Sequence, residues 1–156
     1  MTARRRNQRG LTLVELIVAF TIMLILTTMA VPMARYKVRR DRERELRRAL
    51  TEIRTAIDKY KDMSDSGQLP PAKIGTEGYP ETLEVLVEGV KKAGQVDQKV
   101  KFLRRIPKDP FTGTTDWGKR SMQDDPKTQG GGGQNVFDVF TKTTEKARDG
   151  SAYSDW

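Results

Sequence analysis

One carboxylate stands inside an otherwise uncharged apolar segment, and this feature constrains the chain more than any other. Residues 11–33 read LTLVELIVAFTIMLILTTMAVPM, and Glu15 is their single charge. A helix of about 23 residues is roughly 34 Å long, which is enough to cross a bilayer. An ionised side chain in hydrocarbon costs about 2.5 to 3.5 kcal/mol on insertion scales. We therefore expect a transmembrane helix in which Glu15 has a partner or a function.

A short basic segment precedes the apolar one. Residues 1–10 carry four arginines, and such a flank usually stays in the cytoplasm. A secretory signal peptide shares this pattern, with Thr28-Met29-Ala30 as a cleavage site. However, the apolar run exceeds the usual length of about 7 to 15 residues, and Glu15 lies near its start. Gly10, placed before the apolar run, points to a different processing enzyme.

The basic leader ending in Gly10, the following LTLVEL and the late Pro32 together resemble the N terminus of type IV pilin-like proteins. The resemblance implies that a prepilin peptidase removes residues 1–10 by cleaving between Gly10 and Leu11, and then methylates the new terminus. Most members of the family have Phe where this chain has Leu11. Residues 11–33 would then form the transmembrane and assembly helix.

The resemblance also gives Glu15 a role. Cleavage would create a cationic amine on Leu11, and methylation keeps its charge. Glu15 of one subunit would pair with the Leu11 amine of a neighbour and set the axial register of a helix bundle. The alternatives are a pair with its own Leu11 amine, or a side chain that extends to the membrane interface.

Pro32 lacks a backbone donor and clashes with the carbonyl one turn earlier, so it should kink or locally melt the helix. Thr27 and Thr28 lie nearby, and their hydroxyls could satisfy the freed backbone groups. In related filaments this stretch is thought to loosen during packing, and a plain kink is the equally good alternative.

The spacing predicts that the helix continues from Arg35 to Met63, giving an amphipathic segment over residues 34–63. Its apolar side chains recur at i, i+4, i+7, i+11 and i+14, as one stripe that should face a folded domain. These positions are Leu46, Leu50, Ile53, Ile57 and Tyr60. Turn-forming residues at 64–67 should end the helix.

The net charge of +8 comes mainly from the residues that flank the apolar segment. Residues 35–48 carry eight cations against three acids, whereas residues 49–156 balance seventeen against seventeen. Anionic headgroups or nucleic acid could bind such a cluster, but we favour a solvated helical face and do not expect nucleic-acid binding. Counting cations on both flanks favours a cytoplasmic C-terminal side. The resemblance implies a periplasmic one, since the peptidase must meet the leader in the cytoplasm, and we follow it.

Residues 64–156 should form a small α+β head with an antiparallel sheet. A second helix is predicted to begin near Pro80 and to end between Gly89 and Gly94, because apolar residues recur there at helical spacing. They are Leu83, Leu86, Val87 and Val90. Strands are predicted at Val100–Leu103, Trp117–Met122 and Asn135–Thr141.

Later motifs resemble the major pseudopilin of type II secretion systems. They are Tyr79-Pro80, RRIPKDPF at 104–111, FDVF at 137–140, Asp149-Gly150 and Asp155-Trp156. In that branch a calcium ion often holds the C-terminal loop, so Asp149 and Asp155, with carbonyls around Thr141, would be its ligands here. Residues 142–148 depart from the usual pattern, and an ordinary acidic surface loop is the alternative.

The residue inventory argues against other classes. No cysteine or histidine is present, and the Gly-rich residues 130–133 lack the Lys-Ser/Thr of a phosphate-binding loop. We therefore expect no enzyme, but a filament subunit in the bacterial inner membrane with a periplasmic head. The implied partners are other copies, minor pseudopilins, the prepilin peptidase and an inner-membrane platform with its ATPase. A surface pilus subunit and an anchored, non-polymerising binding domain are the alternatives.

Overall fold

The computed structural model describes residues 12–94, 98–126, 128, 130–131 and 133–156, without the side chains of Met29 and Ala30. The chain divides into two compact units, Met1–Asp41 and Arg42–Trp156. The predicted α+β class, with a long N-terminal helix and a small antiparallel sheet region, is confirmed. The elements are α1 (Leu13–Asp65), α2 (Leu83–Glu88), β1 (Val90–Lys91), β2 (Lys99–Val100), β3 (Gly118–Arg120), β4 (Asp138–Phe140) and a 3₁₀ helix (Tyr153–Asp155).

Helix α1 is 53 residues long, and its C-terminal half supplies one wall of the core. The predicted stripe is confirmed, because Leu46, Leu50, Ile53 and Ile57 are each at most 1% exposed and Tyr60 is half-buried. They pack against apolar residues of the rest of the second unit. These are Leu83, Leu86, Leu103, Trp117, Val136, Val139 and Tyr153.

The end of α1 also agrees with the prediction. The helix ends at Asp65, and Gly67 adopts a left-handed conformation with φ of 70°. The Gln68 amide donates to the Met63 carbonyl at 2.9 Å, which satisfies one of the last helical carbonyls. The predicted domain boundaries at residues 33 and 63 stay predictions.

The second helix was predicted to begin near Pro80, and it begins three residues later, at Leu83. Helix α2 has Thr82 as its N-cap and spans only six residues, while the Pro80 carbonyl accepts a hydrogen bond from the Val136 amide at 2.8 Å. The helix ends at Gly89 with φ of 80°. A Cβ there would lie 2.7 Å from the Val100 carbonyl oxygen, so the close approach of β2 requires glycine.

Within the described residues, the strands form two antiparallel pairs, and the three that overlap predicted strands are shorter than predicted. Strand β1 lies where the end of the second helix was predicted. It pairs with β2 through Val90 and Val100. The strand predicted at Val100–Leu103 is wrong beyond Val100, because the amides of Phe102 and Leu103 both donate to the Leu86 carbonyl. That carbonyl belongs to α2, so the segment continues as a loop over the helix.

Strands β3 and β4 lie inside the predicted segments Trp117–Met122 and Asn135–Thr141. They pair with Gly118 opposite Phe140 and Arg120 opposite Asp138. The ring of Phe140 covers Gly118, where a Cβ would overlap it. The Met122 amide donates instead to the Asn135 side chain at 3.1 Å, which ends the pairing after Arg120.

Candidate membrane-anchoring and assembly site

The first half of α1 exposes a continuous apolar surface. Leu13 is 75% exposed, Leu24 is 71% exposed and Met33 is 74% exposed. Among the described residues, α1 is the one helix long and apolar enough to cross a membrane, judged by length and composition. Its most apolar stretch has no buried residue within the chain. Such a surface in water is costly, so it needs lipid or other apolar helices around it.

Thr12 caps α1 at its N terminus. The Glu15 amide donates to the Thr12 hydroxyl oxygen at 3.3 Å, and the Leu16 amide donates to the Thr12 carbonyl at 3.2 Å. A Thr three residues before a Glu is the sequence pattern of a capping box. We did not predict this function of Glu15, although the T-x-x-E spacing could have revealed it. Glu15 also lies where the helix dipole favours an anion.

Gly10 and Leu11 lie outside the described residues. Cleavage between them, methylation of Leu11 and pairing of its amine with Glu15 therefore stay predictions. Glu15 itself is exposed at the first turn of α1, so its carboxylate is accessible to a neighbouring chain.

Pro32 lies inside α1, which continues through it without a break. Local melting is therefore wrong for the single chain, and a kink stays a prediction. The predicted function of the nearby threonines is also wrong. Thr27 donates to the Met23 carbonyl at 2.7 Å and Thr28 to the Leu24 carbonyl at 2.6 Å. Pro32 instead frees the carbonyl of residue 28, so neither hydroxyl replaces the missing donor.

The C-terminal loop holds the two predicted calcium ligands. Asp149 accepts bonds from the Ser151 amide at 3.0 Å and the Ser151 hydroxyl at 2.6 Å, and these bonds lower the pKa of its carboxyl. Asp155 lies in the 3₁₀ helix. The Thr141 side chain is fully buried and donates to Asp109 at 2.5 Å, so it faces the core.

Calcium binding by this loop stays a prediction. The part of the chain that the structure describes holds no group of three or more His, Cys, Asp or Glu side chains suited to a metal. Calcium takes about six to eight oxygen ligands. Asp149 and Asp155 would therefore need several backbone carbonyls to complete the shell. Both bonds from Ser151 go to one oxygen of Asp149, Oδ1.

Comparison with known proteins supports the interpretation of the N terminus. The family described as the prokaryotic N-terminal methylation motif matches residues 5–31. The type II secretion system core protein G of Klebsiella michiganensis is 29% identical over 111 residues, which are 70% of this chain and 72% of that protein. No solved structure gives a significant match. The predicted resemblance to type IV pilin-like proteins is confirmed.

Both α1 and the head contribute to these matches. The methylation motif includes Gly10, Leu11 and Glu15 and ends just before Pro32. The alignment with core protein G is longer than α1 together with everything before it, because α1 ends at Asp65. The similarity therefore extends into the head.

Two aromatic residues attach the C-terminal segment to α1, and the sequence predicted neither contact. The Tyr153 hydroxyl donates to Glu43 at 2.7 Å, and its ring lies 4.8 Å from that of Trp156. The Arg47 guanidinium lies 4.2 Å from the centre of the Trp156 ring. The last residues therefore fix the C-terminal loop to the helix.

A second unpredicted cluster surrounds Asp138 on β4. Arg54 of α1 binds this carboxylate at 2.7 Å, and Arg120 of β3 binds it at 3.3 Å. Arg120 also donates to the carbonyls of Thr128 and Ser154. One buried guanidinium thus joins the sheet, a loop and the C terminus, a role that no local sequence pattern indicates.

Proposed function

We propose that this chain is the major pseudopilin type of subunit, which polymerises from the inner membrane into a periplasmic filament for type II secretion. The observation that carries the proposal is the coincidence of a methylation motif at residues 5–31 with an exposed apolar α1. The similarity to a type II secretion core protein, which extends into the head, favours this system. The role is structural rather than catalytic.

The exposed surface of α1 supports storage in lipid followed by assembly. In the membrane, acyl chains solvate the apolar side chains of residues 13–33. In a filament, the same side chains pack against α1 helices of other copies, so the apolar surface stays away from water throughout. A Glu15 carboxylate paired with the Leu11 amine of a neighbour would fix the axial position of each new subunit.

The proposal places the leader in the cytoplasm and the head in the periplasm. The prepilin peptidase would act on Gly10 before assembly, and the platform with its ATPase would drive extraction from the membrane. Minor pseudopilins would complete the filament. Calcium held by Asp149 and Asp155 is a further part of the proposal, as a way to fix the C-terminal loop without a disulfide.

N-terminal sequencing of the membrane-extracted protein tests the first step. We expect a mature chain that begins at methylated Leu11. A chain that keeps residues 1–10 and stays monomeric would instead be an anchored binding domain. Activity of a cytoplasm-only reporter fused to the C terminus would contradict the proposed topology.

The Glu15→Val variant tests assembly separately from processing. We expect normal insertion and cleavage but no filaments when the chain is overproduced, whereas the matched variant Ile17→Val should polymerise like the parent. Normal filaments from Glu15→Val would refute the pairing. Long surface fibres from the parent at its natural level would identify a pilus subunit instead.

A further inference from the structure

We propose that one copy of this chain inserts Ile74 into a cationic groove on the head of the next copy, and that this contact propagates the filament. The inference rests on the proposed function, because it supplies the head-to-head contact that a polymer of these subunits needs. It names two different surfaces of the same chain, which we call the Ile74 loop (residues 72–78) and the cationic groove.

Ile74 is fully exposed, at 100% of its accessible surface. No other large apolar side chain in the described part of the head is more than 56% exposed. The Thr76 hydroxyl and amide both bind the Lys73 carbonyl, and the Asn135 side chain donates to the Gly75 carbonyl at 3.2 Å. The loop therefore holds Ile74 outward on a fixed backbone.

The backbone of the Ile74 loop is strained at Glu77. Glu77 has φ of 50°, between Gly75 at 85° and Gly78 at 79°. A non-glycine residue in the left-handed region costs about 1 to 3 kcal/mol, and such residues cluster at binding sites. An exposed apolar side chain on a strained, well-anchored loop is the geometry of a preorganised contact.

The cationic groove lies beside α1 in the same unit and has a volume of about 630 Å³. Its apolar floor includes Ala56, Phe102 and Leu103, and Phe102 is held against Tyr60 with ring centres 5.3 Å apart. This apolar floor is chemically suited to an aliphatic side chain.

The charges around the two surfaces are complementary. Four cations and one carboxylate line the groove, namely Arg47, Arg48, Lys59, Arg104 and Glu52. The Ile74 loop has the opposite balance, because Asp65, Glu77 and Glu81 lie around it with only Lys61 and Lys73. Glu77 is exposed beside Ile74. Insertion of Ile74 would thus bring Glu77 toward the cations of a neighbouring groove.

A contact between two different surfaces of one chain is heterologous, and it builds an open helical assembly when it does not close into a ring. The Ile74 loop packs beside Lys61 and Asp65, whereas the groove is centred about nine residues earlier on α1. If the α1 helices run parallel, bound neighbours are displaced by about 14 Å along the helix. The contact therefore adds each copy at a constant axial step. It joins a different neighbour from the Glu15–Leu11 pair, because the four residues between Leu11 and Glu15 offset parallel helices by only about 6 Å.

Cysteine cross-linking tests the contact directly, because the parent chain has no cysteine. Ile74→Cys and Thr55→Cys are introduced together into the full chain, since Thr55 is exposed and lines the groove. After oxidation in isolated membranes we expect a ladder of multimers. The matched control combines Thr55→Cys with Met122→Cys, which is 56% exposed but lies outside both surfaces. It should give no ladder.

Co-expression of two differently tagged single variants distinguishes contacts between chains from contacts within one chain. A mixed dimer of the Ile74→Cys and Thr55→Cys chains supports the proposal, and absence of that dimer from filaments that form normally would overturn it. Cross-linking of Ile74→Cys to itself alone, or only to a different protein, would also overturn it. If the parent forms no filaments by electron microscopy, the proposed function fails first, and this inference fails with it.

Charge exchange provides the second arm. Glu77→Arg and Arg104→Glu should each reduce filament yield, and the two changes together should restore it. Ile74→Asp should reduce the affinity of the contact about tenfold or more, from the loss of one buried aliphatic side chain. No rescue in the double charge variant, with both single variants folded by circular dichroism, would contradict the charge pairing.

Discussion

Replacing Arg120 should destabilise the head more than any other single charge change. Its side chain is 9% exposed and binds Asp138 at 3.3 Å. It also donates to the Thr128 carbonyl at 3.0 Å and to the Ser154 carbonyl at 3.1 Å, and its guanidinium lies 4.4 Å from the centre of the Phe140 ring. One side chain of β3 therefore contacts three other segments, namely β4, the loop at Thr128 and the C-terminal residues.

The expected loss follows from these contacts. The Arg120→Met variant keeps the apolar stem but removes every donor. Asp138 keeps Arg54 at 2.7 Å, so the main cost is the loss of the donor to the Thr128 and Ser154 carbonyls. An acceptor left unsatisfied inside a protein costs about 1 to 3 kcal/mol, so we expect a total of about 3 kcal/mol. Arg120→Lys should recover less than half, because an ammonium cannot reach three acceptors in one plane.

Urea unfolding of the detergent-solubilised full chain measures this loss through tryptophan fluorescence, because Trp117 is 1% exposed in the folded head. A double-mutant cycle with Asp138→Asn separates the ion pair from the bonds to carbonyls. Arg105→Met, at an exposed arginine, is the matched control and should change little. A loss below about 1 kcal/mol for Arg120→Met, the range of exposed ion pairs, would refute the assignment of Arg120 as a buried connection.

Other changes give further tests. Thr12→Ala should cost about 1 kcal/mol of helix stability and fray the start of α1, as measured by amide exchange. It should leave filament assembly intact, and a loss of assembly would show that assembly depends on the cap. Tyr153→Phe removes the bond to Glu43 and should cost about 1.5 to 3 kcal/mol in urea unfolding, so an unchanged midpoint would contradict that contact. Hydrogen bonds from Ser151 lower the pKa of Asp149, so its stabilising effect is present above the ordinary pKa of 3.8 and is lost as pH falls. In Asp149→Ala this acid dependence should weaken, and calcium should raise the melting temperature of the parent only; a parent melting temperature that ignores calcium would contradict the metal site.

The long helix was predictable because its signals repeat over many residues. An apolar stretch and then a periodic stripe both favour a helix, and the stripe at Leu46, Leu50, Ile53 and Ile57 is buried as expected. Each apolar residue at helical spacing supports the helix independently of the others. The turn after Asp65 was predictable for a similar reason, since glycine and small polar residues cluster there.

The strands were less predictable because they are only two or three residues long. Their limits are set by distant partners rather than by local preference. The amides of Phe102 and Leu103 donate to the Leu86 carbonyl, so they cannot donate to a neighbouring strand. The amide of Val136 likewise donates to the Pro80 carbonyl. Neither contact has a signal in the neighbouring residues, so β propensity alone extends the strands too far.

The buried network around Asp138 was unpredictable for the same physical reason. Arg54 and Asp138 are 84 residues apart in the chain, and arginine and aspartate are ordinarily exposed residues. Only the packing of α1 against β4 brings them together. By contrast, the cap at Thr12 had a local signal in the T-x-x-E spacing. Its contact with the Glu15 amide was not predicted, because the position of the Glu15 carboxylate in the apolar segment indicated a different function.

The two roles of Glu15 are compatible, and the position of cleavage explains why. If the mature chain begins at Leu11, α1 starts two residues later, and its first amides have no intrahelical acceptor. In a bilayer an unsatisfied amide costs several kcal/mol. The Thr12 hydroxyl accepts the Glu15 amide, which satisfies one of these donors and uses only the backbone of Glu15. The Glu15 carboxylate then remains available for the amine of a neighbouring subunit.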